Sequence, residues 1–379
     1  LRAEDQTGAA VEQFEFAPRG FFEVGRRNLW GKNRSVNLFS RASLRQAPGS
    51  VENPDPGGFG IYEYRVIAAF REPRAFGWTA DATVAALVEQ AIRSSFSYRR
   101  RSVNADLTRR VGRDLTIIAR YSYGKTDVYE ERYSPSDKPL IDRLFPQVTL
   151  STLSGALAWD TRDDAIEPTK GMVIGVETDV ALRALGSEVG YVKTFSQGFL
   201  YRQVPGTRVV VAGGLRVGLA TGFERSVPRT DEDGQPALDP DGQPILDLIR
   251  DLPASERFYA GGDTTVRGFT LDRLGDEDTI DSEGFPTGGD AVIIANAEVR
   301  FPVTRTLGGV AFVDAGNVFA RVQRIDLARI RATVGLGVRY KSPIGPLRFD
   351  VGFKLDPQVL GNGQRERRHA VHISIGQAF

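Results

Sequence analysis

The chain has no cysteine, two histidines and one methionine in 379 residues. Without cysteine there is no disulfide, no thiolate nucleophile and no Cys-ligated metal centre. With only His369 and His372, imidazole acid–base or metal chemistry has almost no material. Net charge is nearly absent too, since 49 Lys and Arg face 48 Asp and Glu. A general binder of nucleic acid or of acidic lipid carries a large basic excess, which this chain lacks. The first ten residues, LRAEDQTGAA, have neither the basic start nor the apolar core of a signal peptide. No uncharged apolar run approaches the ~18–20 residues that a membrane helix needs; residues 83–88 are typical of what is available. A membrane barrel stays open, because its strands alternate and any hydropathy average hides them.

Alternation is what the sequence does have. In LRFDVGFKL, Leu347, Phe349, Val351, Phe353 and Leu355 share one face, with Arg348, Asp350, Gly352 and Lys354 on the other. Likewise Ala332, Val334, Leu336, Val338 and Tyr340 alternate with Thr333, Gly335, Gly337 and Arg339. Residues 291–301 put Asn296, Glu298 and Arg300 on a polar face, 172–182 add Glu177 and Asp179, and 209–219 add Arg216. A soluble sandwich alternates as well. Two features favour a barrel: the polar faces pair charge with glycine, as a wet and crowded lumen would, and the connections alternate in length.

Short turns fall near 31–33, 72–76, 112–114, 167–171, 205–207, 304–309 and 342–346, and longer polar segments at 8–19, 49–58, 131–147, 221–290, 320–329 and 357–368. Short turns on one rim and long loops on the other are the pattern of an outer-membrane barrel. The connections near Ser94 and Gly186 are short exceptions. The pattern predicts an all-β, transmembrane antiparallel barrel of about sixteen strands. Their spans are 1–7, 20–30, 33–47, 59–72, 77–92, 95–110, 114–130, 149–163, 171–183, 189–204, 207–221, 290–302, 308–319, 330–341, 346–356 and 369–379. The whole of 1–379 reads as one barrel whose first strand is cut short, with something expected upstream.

Residues 221–290 are too long for a structureless loop and are expected to be functional. The first half repeats a turn former, Asp233-Gly234-Gln235-Pro236 and Asp241-Gly242-Gln243-Pro244. The nearby Asp239, Asp241 and Asp247 lack the twelve-residue calcium spacing with its terminal Glu, so they read as a solvated turn and no metal is expected. The second half changes character: RFYAGGDTTVRGF, residues 257–269, sets a lone arginine among aromatics and paired glycines. Gly261 and Gly262 permit tight turns, and Gly268 permits close approach to a wall. An arginine packed in a lumen needs a carboxylate to accept its fork of donors. The segment has no Gly-Lys-Ser/Thr ending, so phosphate binding is discounted.

Residues 257–269 resemble the lid-loop signature of the outer-membrane assembly-factor superfamily, the BamA/TamA-like, bacterial surface antigen type of barrel that also includes the two-partner secretion transporters. Its hallmark tetrad corresponds to Val266, Arg267, Gly268 and Phe269. Gly309-Val310-Ala311-Phe312-Val313-Asp314-Ala315-Gly316 resembles the family's G-x-x-F-x-D-x-G strand. The resemblance implies that the loop folds back into the lumen, with Arg267 held by Asp314, Phe312 packing beside them and Glu298 as a nearby carboxylate. Gly309 and Gly316 complete the implied set of lid partners. Such a buried pair reads as a conformational anchor. Trp159-Asp160-Thr161-Arg162-Asp163-Asp164 with Pro168-Thr169-Lys170-Gly171, Asn28-Leu29-Trp30-Gly31, and Lys341 through Pro346 resemble further strand and turn motifs of the same family. The likeness spans essentially all 379 residues.

Residues 369–379 form an amphipathic strand ending at Phe379, similar to the terminal signal of outer-membrane proteins, with His372 on its lumen face. Gly376 weakens pairing near that end. The resemblance therefore implies a protein of the bacterial outer membrane that is no enzyme and needs no cofactor. It would fold unfolded outer-membrane protein clients into the membrane through a weak seam between first and last strands. Outer-membrane lipids and periplasmic or lipoprotein subunits are the implied partners, and POTRA modules are expected ahead of the barrel. The alternative is a two-partner-type secretion channel; a passive porin is a third reading, against which the lid motif speaks.

Overall fold

The computed structural model describes residues 18–46, 59–129, 147–229, 237–250, 252–282, 284–342, 345–359 and 365–375, together with positions 3–4, 10–11, 142 and 363. Among these residues fifteen strands form one antiparallel sheet. They are β1 (Arg19–Leu29), β2 (Arg34–Gln46), β3 (Phe59–Glu72), β4 (Asp81–Ile92), β5 (Ser97–Val111), β6 (Leu115–Tyr129), β7 (Gln147–Asp160) and β8 (Gly171–Ala181). They continue with β9 (Tyr191–Gln203), β10 (Val210–Gly222), β11 (Ala291–Pro302), β12 (Leu307–Phe319), β13 (Arg331–Ser342), β14 (Gly345–Lys354) and β15 (His369–Ile375). Each pairs with its neighbours in sequence order, and the order ends at β1 and β15. Of the expected segment 1–7, the described residues are Ala3–Glu4, which pair with Ala10–Val11 in a separate two-stranded unit.

The faces are arranged opposite to those of a water-soluble sandwich. Val299, Val313, Leu336, Phe349 and Ile373 point outward and are exposed, whereas Glu298, Asp314, Thr333, Asp350 and Arg348 are buried inside. A cylinder standing in hydrocarbon requires this sign of burial, because the ladders satisfy the backbone between paired strands and the outer surface must be apolar. No helix among the described residues is long and apolar enough to cross a membrane; the strands do so.

Between β10 and β11 the chain leaves the sheet for residues 223–290. This segment starts as a hairpin of Arg225–Pro228 with Leu246–Ile249. Inside it Gly242 N donates to Asp239 O at 2.9 Å, and Asp239 Oδ1 accepts from Asp241 N and Gln243 N, a self-contained turn. Asp247 pairs with Arg229 across the hairpin. The first turn former, 233–236, lies outside the described residues. Past Leu252 the segment turns into the lumen, where Leu252, Phe258, Val266, Phe269 and Leu274 pack with Val292, Ile294 and Val318 of the wall. Its hydrogen bonds run from the β4–β5 connection, where Arg93 meets Asp272 at 3.1 Å, round to β15. One plug touched from both halves of the sheet shows that the sheet curls around it.

Candidate functional site

Cross-strand register brings the inward residues of β11–β15 into rows. Glu298 faces Phe312, Phe312 faces Gly335, and Gly335 faces Gly352; one row over, Asn296 faces Asp314 and Asp314 faces Thr333. A Cβ on Gly335 would lie 2.2 Å from Phe312 Cζ, so the glycine opens the slot in which that ring lies flat.

The Arg267 guanidinium is laid over this ring, with Cζ 3.6 Å from the Phe312 centroid. Arg267 Nε donates to Asp314 Oδ2 at 2.7 Å and Nη2 to Oδ1 at 2.9 Å, a two-point fork. Nη1 donates to Glu298 Oε2 at 3.0 Å, and the Arg267 backbone N–H reaches Asp314 Oδ2 at 3.0 Å. Both carboxylates are almost fully buried, as is the arginine. Burial alone would lower the Arg267 pKa, yet the hydrogen bonds and charge of Asp314, with the charges of Glu298 and Asp350, raise it further above its ordinary value. The cation is permanent, and the arrangement anchors without offering a transferable proton.

The rest of the tetrad is seated as tightly. Gly268 has φ +100 and its N–H donates to His372 Nε2 at 3.0 Å. That contact requires a neutral ring with its proton on Nδ1. A Cβ on Gly352 would lie 2.6 Å from Gly268 N, so two backbones touch where β14 meets the lid. Phe269 is stacked between Arg331 and Lys354, at 4.6 and 4.7 Å, and Val266 is fully buried. Gly316 abuts Ile294 on the inner face, while Gly309 lies on the outward face beneath the Phe301 ring and is not brought to the lid. Gly376 and Phe379 lie outside the described residues.

Several contacts were not singled out from the sequence. Asn296 Nδ2 bridges Asp314 Oδ1 at 2.9 Å and Thr265 O at 2.7 Å. Arg348 Nη2 holds Asp263 Oδ2 at 3.0 Å, and Asp350 approaches Arg267 to 3.9 Å while taking Arg339 Nη1 at 2.6 Å. On the far wall Arg100 and Tyr191 hold Glu256, at 2.8 and 3.2 Å. Burial raises the Glu256 pKa, but Arg100 and Lys193 outweigh it and keep the carboxylate ionised. Inward parity was a signal available for Asn296, Arg348 and Asp350; nothing local said which row each would occupy.

The Asp160–Gly171 motif is a turn on the short-loop rim. Asp163 Oδ1 accepts from Thr169 N and Lys170 N at 2.9 and 3.0 Å, and Oδ2 from Thr169 Oγ1. These bonds, led by the Thr169 hydroxyl, lower the Asp163 pKa to about 2. Gly171 sits at φ +96 with Thr161 O 2.3 Å from where a Cβ would be, so no other residue fits.

The Omp85 superfamily domain matches residues 28–379. The chain belongs to the Omp85 superfamily. It is 32% identical over 132 residues to the outer membrane protein assembly factor BamA of Nitratidesulfovibrio vulgaris, an alignment covering 34% of this chain and 16% of the relative. It is 26% identical over 244 residues to BamA of Neisseria meningitidis, covering 56% and 27%. The chain thus spans well under a third of the length of these relatives. Among solved structures, BamA from Haemophilus ducreyi lacking POTRA domains 1–3 superposes with a TM-score of 0.64 at 15% identity, covering 96% of this chain and 71% of that one. CdiB from Acinetobacter baumannii gives 0.54 at 12% identity, covering 97% and 57%. This Omp85 chain is therefore a barrel of the bacterial outer membrane, with the lid seated in its lumen.

Proposed function

We propose that this Omp85 barrel is an outer-membrane protein assembly factor that folds unfolded β-barrel clients into the membrane through the seam between β1 and β15. The observation that carries the reading is the asymmetry of the wall. The lid ties β11 to β15 together through Glu298, Asp314, Arg348 and His372, whereas β1 is exposed along its length through Asn28. No ladder joins β1 to β15 among the described residues. Orphan N–H and C=O groups are costly in hydrocarbon, and an open edge lets a client strand pair by β-augmentation as it enters. No covalent bond changes, so the role needs neither enzyme chemistry nor a cofactor. In this proposal the 266–269 tetrad keeps the far wall rigid, and clients, outer-membrane lipids, periplasmic or lipoprotein subunits and upstream POTRA modules are the partners.

The test reconstitutes the chain in vesicles of phosphatidylethanolamine and phosphatidylglycerol and adds a small urea-unfolded client barrel. Folding, read by gel mobility and protease resistance, is expected to accelerate by about tenfold or more, a barrier change of about 1.4 kcal/mol. A disulfide engineered across the seam of this cysteine-free chain should abolish the gain, and reductant should restore it. No acceleration, together with a large steady conductance, would instead establish the secretion-channel alternative.

A further inference from the structure

On the short-turn side, away from the lid, the lumen holds a separate cavity of about 360 Å³. Its lining includes Arg208, Arg300, Arg305, Arg339 and Lys341 against a single carboxylate, Glu167. The rest of the lining is mainly apolar, with Pro302, Leu307 and Val310 on the wall and Pro168 from the 161–170 turn, together with the hydroxyls of Thr169 and Thr304. That turn is drawn over the mouth by the pairing of Glu167 with Lys341.

Two of the arginines are fixed from behind. Arg300 Nε is held by Glu298, and Arg339 Nη1 by Asp350 and by Val338 O. Arg339 is 8% exposed, and its Nε and Nη2 find no acceptor among the described residues. A buried guanidinium with two unmet donors is costly unless an anion or water completes it. Low-dielectric walls lined by one sign of charge also focus potential on the space they enclose.

We propose that this vestibule binds a small organic oxyanion, a carboxylate or phosphate carried on a compact apolar body. The volume falls within the range of ligand pockets and equals roughly a dozen water molecules, which suits one such group and excludes the two acyl tails of a phospholipid. Arg339 and Arg300 would take the oxyanion, Arg208 and Arg305 would raise its local concentration from the rim, and Leu307 and Val310 would cover the apolar part.

The experiment titrates the purified, detergent-solubilised chain by calorimetry against empty micelles, with phenylacetate, phenyl phosphate, inorganic phosphate and phenethylammonium as probes. Saturable binding of phenylacetate or phenyl phosphate is expected, tighter than that of inorganic phosphate or of the cation; whichever of the two binds tighter identifies the head group. Two variants avoid the lid contacts. The pair Arg208→Glu and Arg305→Glu should weaken binding about tenfold by reversing two rim charges. Gly308→Leu, where an added Cβ meets nothing closer than Phe301 O at 3.4 Å, should fill the cavity and abolish binding with every charge retained. Inorganic phosphate binding as tightly as the aromatic anions, undiminished binding in Gly308→Leu, or no saturation by either anion would each overturn the proposal.

Discussion

Arg267 and Phe312 are stacked cation over ring at 3.6 Å, while the same guanidinium forks onto Asp314 and reaches Glu298 at its edge. Its in-plane donors meet two acids while its flat face lies on the ring.

Replacing Arg267 by Ala leaves Asp314 buried without its cation and Glu298 with Arg300 as its remaining partner, a loss of about 3–5 kcal/mol for such sites. The lid should leave its seat while the barrel still reaches the membrane. Limited proteolysis of residues 252–282 in vesicles, together with client folding rates, checks this. Unchanged protection with unchanged activity would sink the anchoring role.

Phe312→Leu keeps the ion pairs and removes the π-face, so the expected loss is smaller, about 0.5–2 kcal/mol. Lid proteolysis should rise less than in Arg267→Ala. Equal effects in the two variants would show that the ring, and not the charge, governs seating.

Gly352→Val places a side chain where Gly268 N would be 2.6 Å from its Cβ. Neither backbone can retreat without breaking the Gly268–His372 hydrogen bond, so the lid should detach from β14 and β15 even with Arg267 intact. A cysteine introduced at Ser374 should then react faster with a soluble maleimide; an unchanged rate would disprove the close approach.

Asp163 yields a pH prediction. Its folded pKa, about 2, lies below the ordinary 3.8, so its contribution to stability is complete above that ordinary value. It is lost as pH falls through about 2. Amide exchange at Thr169 and Lys170 should accelerate across that window in the wild type. In Asp163→Asn it should be fast throughout; a flat profile in the wild type would refute the capping role.

Alternation alone placed most strand spans within a few residues of their observed ends, because inward and outward faces are a property of adjacent residues. Boundaries shifted where side chains intervened: the strand expected at 149–163 stops at Asp160, since Asp163 captures the following backbone into a turn. The tetrad at 266–269 and the strand at Asp314 were legible too, through their likeness to a family pattern.

What the sequence by itself determined is therefore the period of each strand, the alternation of short and long connections, and the presence of one arginine that needs acids. Only the tertiary structure decided that Asn296, Arg348, Asp350, Gly352 and His372 also meet the lid, and that Gly309 does not. Those contacts join residues up to 104 positions apart. They depend on cross-strand register and on the curl of the whole sheet, and no local pattern encodes either.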